Sequence, residues 1–306
     1  MKVLVATDKP FAQEAVNGIK EVIEKAGFEL ALLEKYTEKS QLLDAVKDVN
    51  AIIIRSDIVD AEVLAAAQNL NIVVRAGAGY DNVDLDAATA HNVCVMNTPG
   101  QNANAVAELV FGMMVAGIRN FYDGTSGTEL MGKKLGIHAY GNVGRNVARI
   151  AKGFGMEVFA YDAYCPADVI EKDGVKALNS AEELYKNCQF VSLHIPATAE
   201  TKQSINYALL SQMPKKAMLV NTARKEVINE AELEKIMGER ADFKYVTDIM
   251  PGNHNKLSES FPKRYFSTPQ KIGAQTAEAN INAGIAAAHQ IVDFFKNGNE
   301  KFRVNK

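Results

Sequence analysis

A glycine-rich turn and an acidic residue 21 positions later form the pattern in this sequence that points most clearly to chemistry. Gly141 and Gly144, in KLGIHAYGNVGRNVARIAKGFG, occupy the last two glycine positions of a G-x-G-x-x-G motif. The first allows the backbone to approach a pyrophosphate, and the second allows a helix to pack closely on a strand. Asp162 ends EVFAYD, where a carboxylate can bond both ribose hydroxyls of an adenosine and repel a 2′-phosphate.

Ala139 occupies the first position of the motif, where a glycine normally makes the tight turn. The glycines alone are a weak signal, and Asp162 alone could be a helix-capping residue. The order strand, turn, helix, strand and acid nevertheless favours an NAD site. The cofactor-binding positions predicted here are Tyr140, Gly141, Asn142, Val143, Gly144 and Asp162.

Two other segments place possible ligand-binding groups after strands. RAGAG, which ends at Gly79, predicts a nest of amide donors able to hold an anion. TPQKIGAQT has the pattern of a strand end leading into a helix, with Thr276 as the predicted N-cap. Lys271 lies in this turn, where it is either a solvated loop lysine or a cation placed for catalysis.

Short β-branched segments alternate with amphipathic helical segments almost throughout the chain. The first series of strands is KVLVAT, ELALL, AIIIR, NIVVRAG and VCVMN, with helices near 11–26, 39–48 and 61–68. The second series is KLGIHAY, EVFAYDA, QFVSLHI, AMLVNTA and KYVTDI. AVAELVFGMMVAGIRN, between the two series, is predicted to be a buried helix. Apolar strands separated by helices are typical of a parallel sheet.

We therefore predict an α/β protein with two doubly wound parallel-sheet domains, the nucleotide-binding one of Rossmann type, and a cleft between them. The 306-residue length suits two domains. A last helix near 275–297 is expected to return to the first domain. The predicted division is 1–98 with 284–306 for the substrate, and 99–283 for NAD.

Composition and charge are those of an ordinary soluble protein, with 47% hydrophobic and 23% charged residues. A formal charge of −3, spread evenly, favours neither a nucleic-acid nor a membrane partner. Cys94, Cys165 and Cys188 are expected to be reduced packing residues. The start MKVLVAT is unlike a signal peptide and no apolar segment has spanning length, so a cytoplasmic protein is expected. No metal site is predicted.

Several segments together resemble the D-2-hydroxyacid dehydrogenase family over nearly the whole chain. They are IIIRSD, VVRAGAGYDNVDLDAATAHNV, MNTPGQNANAVAE, LHIPATAETKQSIN, LVNTARKEVINEAEL, YVTDIMP and TPQKIGAQTAEA. The resemblance implies NAD-dependent oxidation of 3-phosphoglycerate to 3-phosphohydroxypyruvate and its reverse, the first step of serine biosynthesis. It also implies a homodimer and a phosphorylated 2-hydroxy or 2-keto acid as the small-molecule partner. Since the chain stops at KFRVNK, no C-terminal effector domain is expected.

The resemblance implies roles for individual residues as well. Arg224 would bind the substrate carboxylate and polarise the keto oxygen, which suits a permanently charged, bidentate guanidinium. Asp248 would face the nicotinamide amide, and His194 would line the cofactor without an acid–base role. The other implied cofactor-binding positions are Ile195, Pro196, Thr198, Asn221, Thr222, Ala223 and Gly273. The implied substrate-binding positions are Arg55, Ser56, Ala76, Gly77, Ala78 and Gly79.

The turn that carries Lys271 departs from the family pattern. The family usually has a histidine in TPHIGA, oriented by a glutamate that follows the nicotinamide-facing acid. Here the turn reads TPQKIGA, and no acid lies between Asp248 and Glu259. His254, within that stretch, is expected to be an exposed loop residue. A lysine-bearing class with the same turn exists in the family, so we predict that Lys271 is the proton donor and acceptor.

Two alternative functions remain open from the sequence. One is a reductase of hydroxypyruvate or glyoxylate, and the other is a non-catalytic NAD-sensing protein on the same fold.

The segment between the domains, GIRNFYDGTSGTELMGKKLG, is shorter than is usual in the family, which puts a phosphate-binding cation there in doubt. Arg55 and Arg75 are then the candidates for binding a phosphate in the first domain.

Overall fold

A computed structural model describes residues 1–305, in which strands and helices alternate along the whole chain. The strands are β1 (Lys2–Thr7), β2 (Glu29–Glu34), β3 (Ala51–Ile54), β4 (Ile72–Arg75), β5 (Cys94–Asn97), β6 (Lys134–His138), β7 (Glu157–Tyr161), β8 (Lys176–Ala177), β9 (Phe190–Leu193), β10 (Met218–Asn221), β11 (Lys244–Thr247) and β12 (Tyr265–Ser267). The α-helices are α1 (Gln13–Lys25), α2 (Lys39–Ala45), α3 (Ala61–Ala66), α4 (Leu85–Ala90), α5 (Ala103–Ile118), α6 (Asn142–Gly153), α7 (Ala167–Lys172), α8 (Ala181–Asn187), α9 (Tyr207–Leu210), α10 (Glu230–Glu239), α11 (His254–Ser260) and α12 (Ala277–Asn297).

The first unit comprises Met1–Asn102 and Gln275–Lys306 and contains one parallel sheet in the order β2-β1-β3-β4-β5. Alternate residues of a strand face opposite sides of a sheet. Val3 and Val5 therefore pack in one apolar cluster with α1 and α12, and Leu4 packs in another with α2 and α3. Because both faces are covered, these strands consist of continuous apolar residues.

The last helix belongs to the first unit, as predicted. α12 lies so close to α1 that a Cβ added at Gly18 would be 2.6 Å from Ile285 Cδ1. The Thr276 hydroxyl accepts a hydrogen bond from the Ala279 N–H at 3.1 Å and caps the helix, which confirms the predicted N-cap. Gly298, at φ +66°, ends the helix in the left-handed conformation.

The second unit, Ala103–Ala274, contains a seven-stranded parallel sheet in the order β12-β11-β10-β9-β6-β7-β8. The predicted buried helix is α5, in which nine of 16 residues are buried. It packs with α6 and with the inner face of the sheet around Val220 and Val246. The predicted fold class, two doubly wound parallel-sheet units, is confirmed.

The boundaries of the two units differ from the predicted division by four residues at the first boundary and by nine at the second. The structure places them after Asn102 and after Ala274. The predicted boundary at 283/284 falls inside α12, but this helix is continuous and all of it packs in the first unit. The two-residue edge strand β8 lies outside the predicted strands, because so short a segment has no recognisable alternation.

No helix within residues 1–305 combines the length and the apolar character that crossing a membrane requires. The three cysteines are free. Cys94 and Cys188 are buried, and Cys165 is half-buried.

Candidate active site

The glycine-rich turn joins β6 to α6 at the centre of the second sheet. Ala139 has a φ of +81°, the left-handed conformation that favours glycine, so the chain makes the tight turn despite the alanine. A Cβ added at Gly144 would lie 2.4 Å from the Ala139 carbonyl oxygen, so the close packing of α6 requires this glycine. A Cβ at Gly141 would meet no atom within 4 Å, which leaves open space where the first N–H groups of the helix can bind a phosphate.

The Asp162 carboxylate, just after β7, accepts three backbone hydrogen bonds. Oδ2 accepts from the Tyr140 N–H at 2.6 Å. Oδ1 accepts from the N–H groups of Tyr164 at 2.7 Å and Cys165 at 2.9 Å. These bonds fix the carboxylate beside the glycine-rich turn. Since an ionised carboxylate has about four acceptor sites, it can still accept from a ribose hydroxyl.

In each sheet the order of the strands reverses at one point, between β6 and β9 in the second unit and between β1 and β3 in the first. Ligands of open parallel sheets bind beyond the carboxyl ends of the strands at such a point. The glycine-rich turn follows β6 and His194 follows β9. In the first unit Arg55 follows β3, and its Nη1 donates to the carbonyls of Lys9 and Pro10, after β1, at 3.0 and 3.1 Å.

The loop after β9 carries four of the predicted cofactor-binding positions. His194 Nε2 lies 3.0 Å from Ser192 Oγ. Burial, with a smaller effect of His138, lowers the pKa of His194 to about 3, so the imidazole is neutral near pH 7. Of the other positions, Ile195 is buried, whereas Pro196 and Thr198 are exposed.

Asp248 is buried just after β11. Its Oδ2 accepts from the Gly273 N–H at 2.8 Å, and its Oδ1 has no partner in residues 1–305. A Cβ at Gly273 would lie 2.8 Å from Oδ2, so only glycine permits this contact. Burial raises the pKa of Asp248, against the lowering effects of the Gly273 N–H and of Lys271. The Thr222 hydroxyl is also buried without a partner. Such groups fit the carboxamide of a nicotinamide.

Arg224 and Lys271 are 47 residues apart, yet both reach the same carbonyl oxygen. Arg224 Nη1 donates to the Ala223 oxygen at 2.8 Å, and Lys271 Nζ donates to it at 3.3 Å. The arginine ion pairs in the described part of the chain belong to other arginines. Both cations are therefore bonded to a neutral carbonyl, which leaves their positive charge available to an anionic substrate.

The surroundings of Lys271 favour its neutral form. Lys271 is exposed as a residue, but partial desolvation of its ammonium lowers the pKa of Lys271, and the charge of Arg224 lowers it further. Asp248 and Glu226 act in the opposite direction and only partly offset these effects. A lysine with a lowered pKa can exchange protons closer to neutral pH than an exposed one.

His254 is half-buried as the first residue of α11, and its Nδ1 lies 2.9 Å from the Tyr265 hydroxyl. The expectation of an exposed loop residue is therefore wrong. The segment after Asp248 contains a short helix that the sequence did not indicate, and the histidine packs against the last strand of the sheet.

Arg55 and Arg75 form a pair of guanidinium groups in the first unit. Arg55 Nη2 donates to Asn280 Oδ1 at 2.8 Å, and Arg75 Nε donates to the Arg55 carbonyl at 3.0 Å. Burial, and then the charge of Arg55, lower the pKa of Arg75. The Arg75 guanidinium lies over Gly77, where an added Cβ would be 1.6 Å from Nη1.

The predicted nest of amide donors after β4 is smaller in the structure. The N–H groups of Ala76 and Gly77 already donate to backbone carbonyls, at 2.8 and 2.9 Å. The N–H groups of Ala78 and Gly79 have no acceptor within residues 1–305, so these two remain as the amide donors of the predicted nest. The Asn97 amide holds this loop by donating to the Ala78 carbonyl at 2.6 Å.

Asp57 is a structural residue of the first unit that the sequence analysis did not single out. It is buried and accepts from the Asp8 N–H and the Tyr36 hydroxyl, both at 2.7 Å, and from the Arg55 N–H at 3.3 Å. Ser56, which lies between Arg55 and Asp57 in the sequence, is exposed. The acid three residues after the end of an apolar strand, in IIIRSD, is the signal that could have identified Asp57. Within residues 1–305 there is no group of three or more metal-ligating side chains.

Comparison with known proteins identifies the family. A family model described as D-isomer specific 2-hydroxyacid dehydrogenase, NAD binding domain, matches residues 110–269. The chain is also 35% identical, over 95% of its length, to D-3-phosphoglycerate dehydrogenase of Methanocaldococcus jannaschii. The chain belongs to the D-isomer specific 2-hydroxyacid dehydrogenase family. The matched residues lie within the second unit and include the glycine-rich turn, so the predicted NAD cofactor is confirmed.

Other members of the family differ in their named substrates. The chain spans 57% of the length of the M. jannaschii protein. It is 33% identical to hydroxypyruvate reductase of Thermotoga maritima, over 86% of this chain and 90% of that one. The NAD⁺-bound structure of 3-phosphoglycerate dehydrogenase from Entamoeba histolytica is 48% identical, with a TM-score of 0.86, and the match covers 100% of this chain and 99% of that one.

Proposed function

We propose that this protein is an NAD-dependent dehydrogenase that interconverts 3-phosphoglycerate and 3-phosphohydroxypyruvate. The observation that carries the proposal is the convergence of Arg224 and Lys271 on the Ala223 carbonyl oxygen, at 2.8 and 3.3 Å. A permanent cation beside an ionisable one suits a 2-keto acid, because the first can bind the carboxylate and the second can supply a proton. The similarity to the E. histolytica enzyme supports the choice of substrate.

Each of the two cations has a separate task in the proposed reaction. Arg224 binds the substrate carboxylate through its two-pronged guanidinium and polarises the keto oxygen. When bound, NADH supplies the hydride for the keto carbon, and NAD⁺ accepts it in the reverse direction. Lys271 gives its proton to the oxygen as negative charge builds there, and in the oxidation direction neutral Lys271 takes the proton back.

The first unit is proposed to be the substrate-binding domain, with Arg55 and Arg75 as the ligands of the substrate phosphate. Neither guanidinium takes part in the arginine ion pairs of residues 1–305. The two are close enough for the charge of Arg55 to lower the pKa of Arg75. A phosphate dianion would relieve this repulsion and accept charge-assisted hydrogen bonds.

A reductase of hydroxypyruvate or glyoxylate is the alternative, supported by the similarity to the T. maritima hydroxypyruvate reductase. A non-catalytic NAD-sensing protein would explain the absent histidine in the TPQKIGA turn. It would not explain why Arg224 is retained with a new ionisable group beside it.

The test is the oxidation of NADH with phosphohydroxypyruvate, hydroxypyruvate and glyoxylate in parallel. We expect the highest kcat/KM with phosphohydroxypyruvate. Arg75→Gln should raise the KM for this substrate at least tenfold and leave hydroxypyruvate almost unaffected, with Arg119→Gln, at an exposed arginine, as the matched control. A higher kcat/KM with hydroxypyruvate or glyoxylate would support the reductase. NADH binding without turnover of any substrate would support the sensor.

We further propose that the protein is a homodimer. The apolar helix α5 is the element for which the family resemblance implies a place at the interface. Light scattering of the purified protein tests this, since a mass near 33.3 kDa would mean a monomer.

A further inference from the structure

We propose that the Ala223 carbonyl oxygen orients Lys271 in place of a carboxylate, and that Asn221 is the positioning residue that holds this carbonyl. The inference rests on the proposed function and concerns how its proton donor is aimed. An ammonium group has three protons and can point in many directions. A proton donor nevertheless has to point at the reacting oxygen, which requires a fixed acceptor on its other side.

The hydrogen-bond partner of Lys271 is neutral. Nζ donates to the Ala223 oxygen at 3.3 Å, while Asp248 and Glu226 affect it through space without a hydrogen bond. A carboxylate bonded directly to the ammonium would favour the protonated form. A carbonyl can orient the ammonium with much less of this effect, so Lys271 can still lose its proton during oxidation.

The Asn221 side chain holds the peptide groups on both sides of this carbonyl. Its Oδ1 accepts from the Ala223 N–H at 2.9 Å, and its Nδ2 donates to the Arg224 carbonyl at 3.0 Å. The peptide group between these two bonds bears the Ala223 oxygen. Since Asn221 is fully buried, water cannot readily replace either bond.

Asn221 is itself fixed to the neighbouring strand. It is the last residue of β10, and its carbonyl accepts from the Thr247 hydroxyl at 2.8 Å and from the Asp248 N–H at 3.2 Å. The Asp248 carboxylate in turn holds the turn of Lys271 through the Gly273 N–H. The acceptor and the donor are therefore fixed to the same pair of strands, and Asn221, predicted to be a cofactor-binding residue, is assigned the role of holding the loop.

The proposal is tested with a double-mutant cycle on Asn221 and Lys271. In the wild-type background, Asn221→Ala should lower kcat for phosphohydroxypyruvate reduction on the order of 10- to 100-fold, because the donor is misplaced. In the Lys271→Ala background the same substitution should lower kcat by a clearly smaller factor, since no donor is left to misplace and only the effect on the loop of Arg224 remains. Asn206→Ala is the matched control, because it removes a similar side-chain acceptor, for the Leu209 N–H at 3.1 Å. It should leave kcat unchanged.

A second readout is the pH profile of 3-phosphoglycerate oxidation. Asn221→Ala should move the apparent pKa of the profile toward that of a free lysine, because the Lys271 ammonium would leave its partly desolvated position beside Arg224. Asn221→Asp keeps the acceptor for Ala223 and loses the donor to Arg224, so an intermediate loss of kcat is expected. This variant also serves if the alanine variant fails to fold.

Equal losses from Asn221→Ala in both backgrounds, or a loss no larger than that of Asn206→Ala, would overturn the proposal. A wild-type protein inactive with all three keto acids would instead contradict the proposed function. The two failures are therefore distinguishable.

Discussion

At the residue scale, Asp162 combines a structural role with a predicted contact to the cofactor. Its carboxylate accepts from three backbone N–H groups, and its charge is fixed beside the glycine-rich turn. Asp162→Asn keeps an acceptor oxygen and removes the charge that would repel a 2′-phosphate. We expect the preference for NAD over NADP to narrow by about 1–3 kcal/mol, or roughly 5- to 150-fold in the ratio of Kd values.

Fluorescence titration with NADH and NADPH measures this change. Asp168→Asn, at an exposed acid in α7, is the matched control and should leave the preference unaltered. Tighter binding of NADPH than of NADH by the wild-type protein would contradict the role assigned to Asp162.

Ala139 carries a backbone strain that a single substitution can relieve. Its φ of +81° is unfavourable for an L-residue, by roughly 1–2 kcal/mol in the left-handed helical region. Ala139→Gly removes the strain but adds freedom to the unfolded chain, so a net gain of about 0.5–1 kcal/mol in the free energy of unfolding is expected. Ala116→Gly, inside α5, is the control and should instead lower the free energy of unfolding by a similar amount. Urea unfolding of the two variants tests this, and destabilisation by both would show that Ala139 is not strained.

At the element scale, the carboxyl ends of β6 and β9 place two histidines next to the cofactor turn, the buried His138 and the half-buried His194. Burial lowers the pKa of His138 to about 4 and that of His194 to about 3, from an ordinary value of 6.5. The unfolded chain binds these protons at a higher pH than the folded chain does. The two histidines therefore leave the free energy of unfolding undiminished above about pH 6.5 and lower it as the pH decreases. The expected loss is about 1.4 kcal/mol per pH unit for each histidine.

Urea unfolding between pH 7 and pH 5 measures this dependence. His138→Gln should reduce the slope of the free energy of unfolding against pH by about half, since one of the two histidines is removed. A variant at the exposed His289 is the matched control. A slope that stays the same in His138→Gln would mean that this histidine does not contribute to the acid sensitivity.

At the scale of the whole molecule, the repeating pattern of apolar strands and helices was sufficient to predict the two parallel sheets. The pattern is strong because β3 and β10, for example, are buried on both faces and therefore consist entirely of apolar residues apart from the final Asn221. The edge strand β8 and the short helix α11 could not be predicted, since their positions depend on neighbours distant in sequence. The predicted boundary at 283/284, which divides α12, was wrong for a similar reason. The packing of this helix on α1 places all of it in the first unit.

The candidate site was predictable only in part. Spacing identified the turn at Gly141 and the acid at Asp162, and the family resemblance supplied Arg224 and Lys271. No local pattern could indicate that these two cations share one carbonyl oxygen, because the contact depends on the packing of β10 beside β11. The same holds for the amide of Asn221, whose two hydrogen bonds are visible only in the folded loop.

Lys271 links the family, the site and the proposed reaction, and one measurement tests its role most directly. The measurement is the rate of NAD-dependent 3-phosphoglycerate oxidation across the alkaline pH range, for the wild type, Lys271→Ala and the control Lys263→Ala at an exposed lysine. Oxidation needs neutral Lys271, so the wild-type rate should rise with pH through a midpoint below the ordinary lysine value of 10.5, in the direction of the lowered pKa. Lys271→Ala should lower kcat by around 10²–10⁴-fold and abolish this rise, whereas Lys263→Ala should match the wild type. An alanine variant of Lys271 that keeps the rate and the pH profile of the wild type would contradict the account.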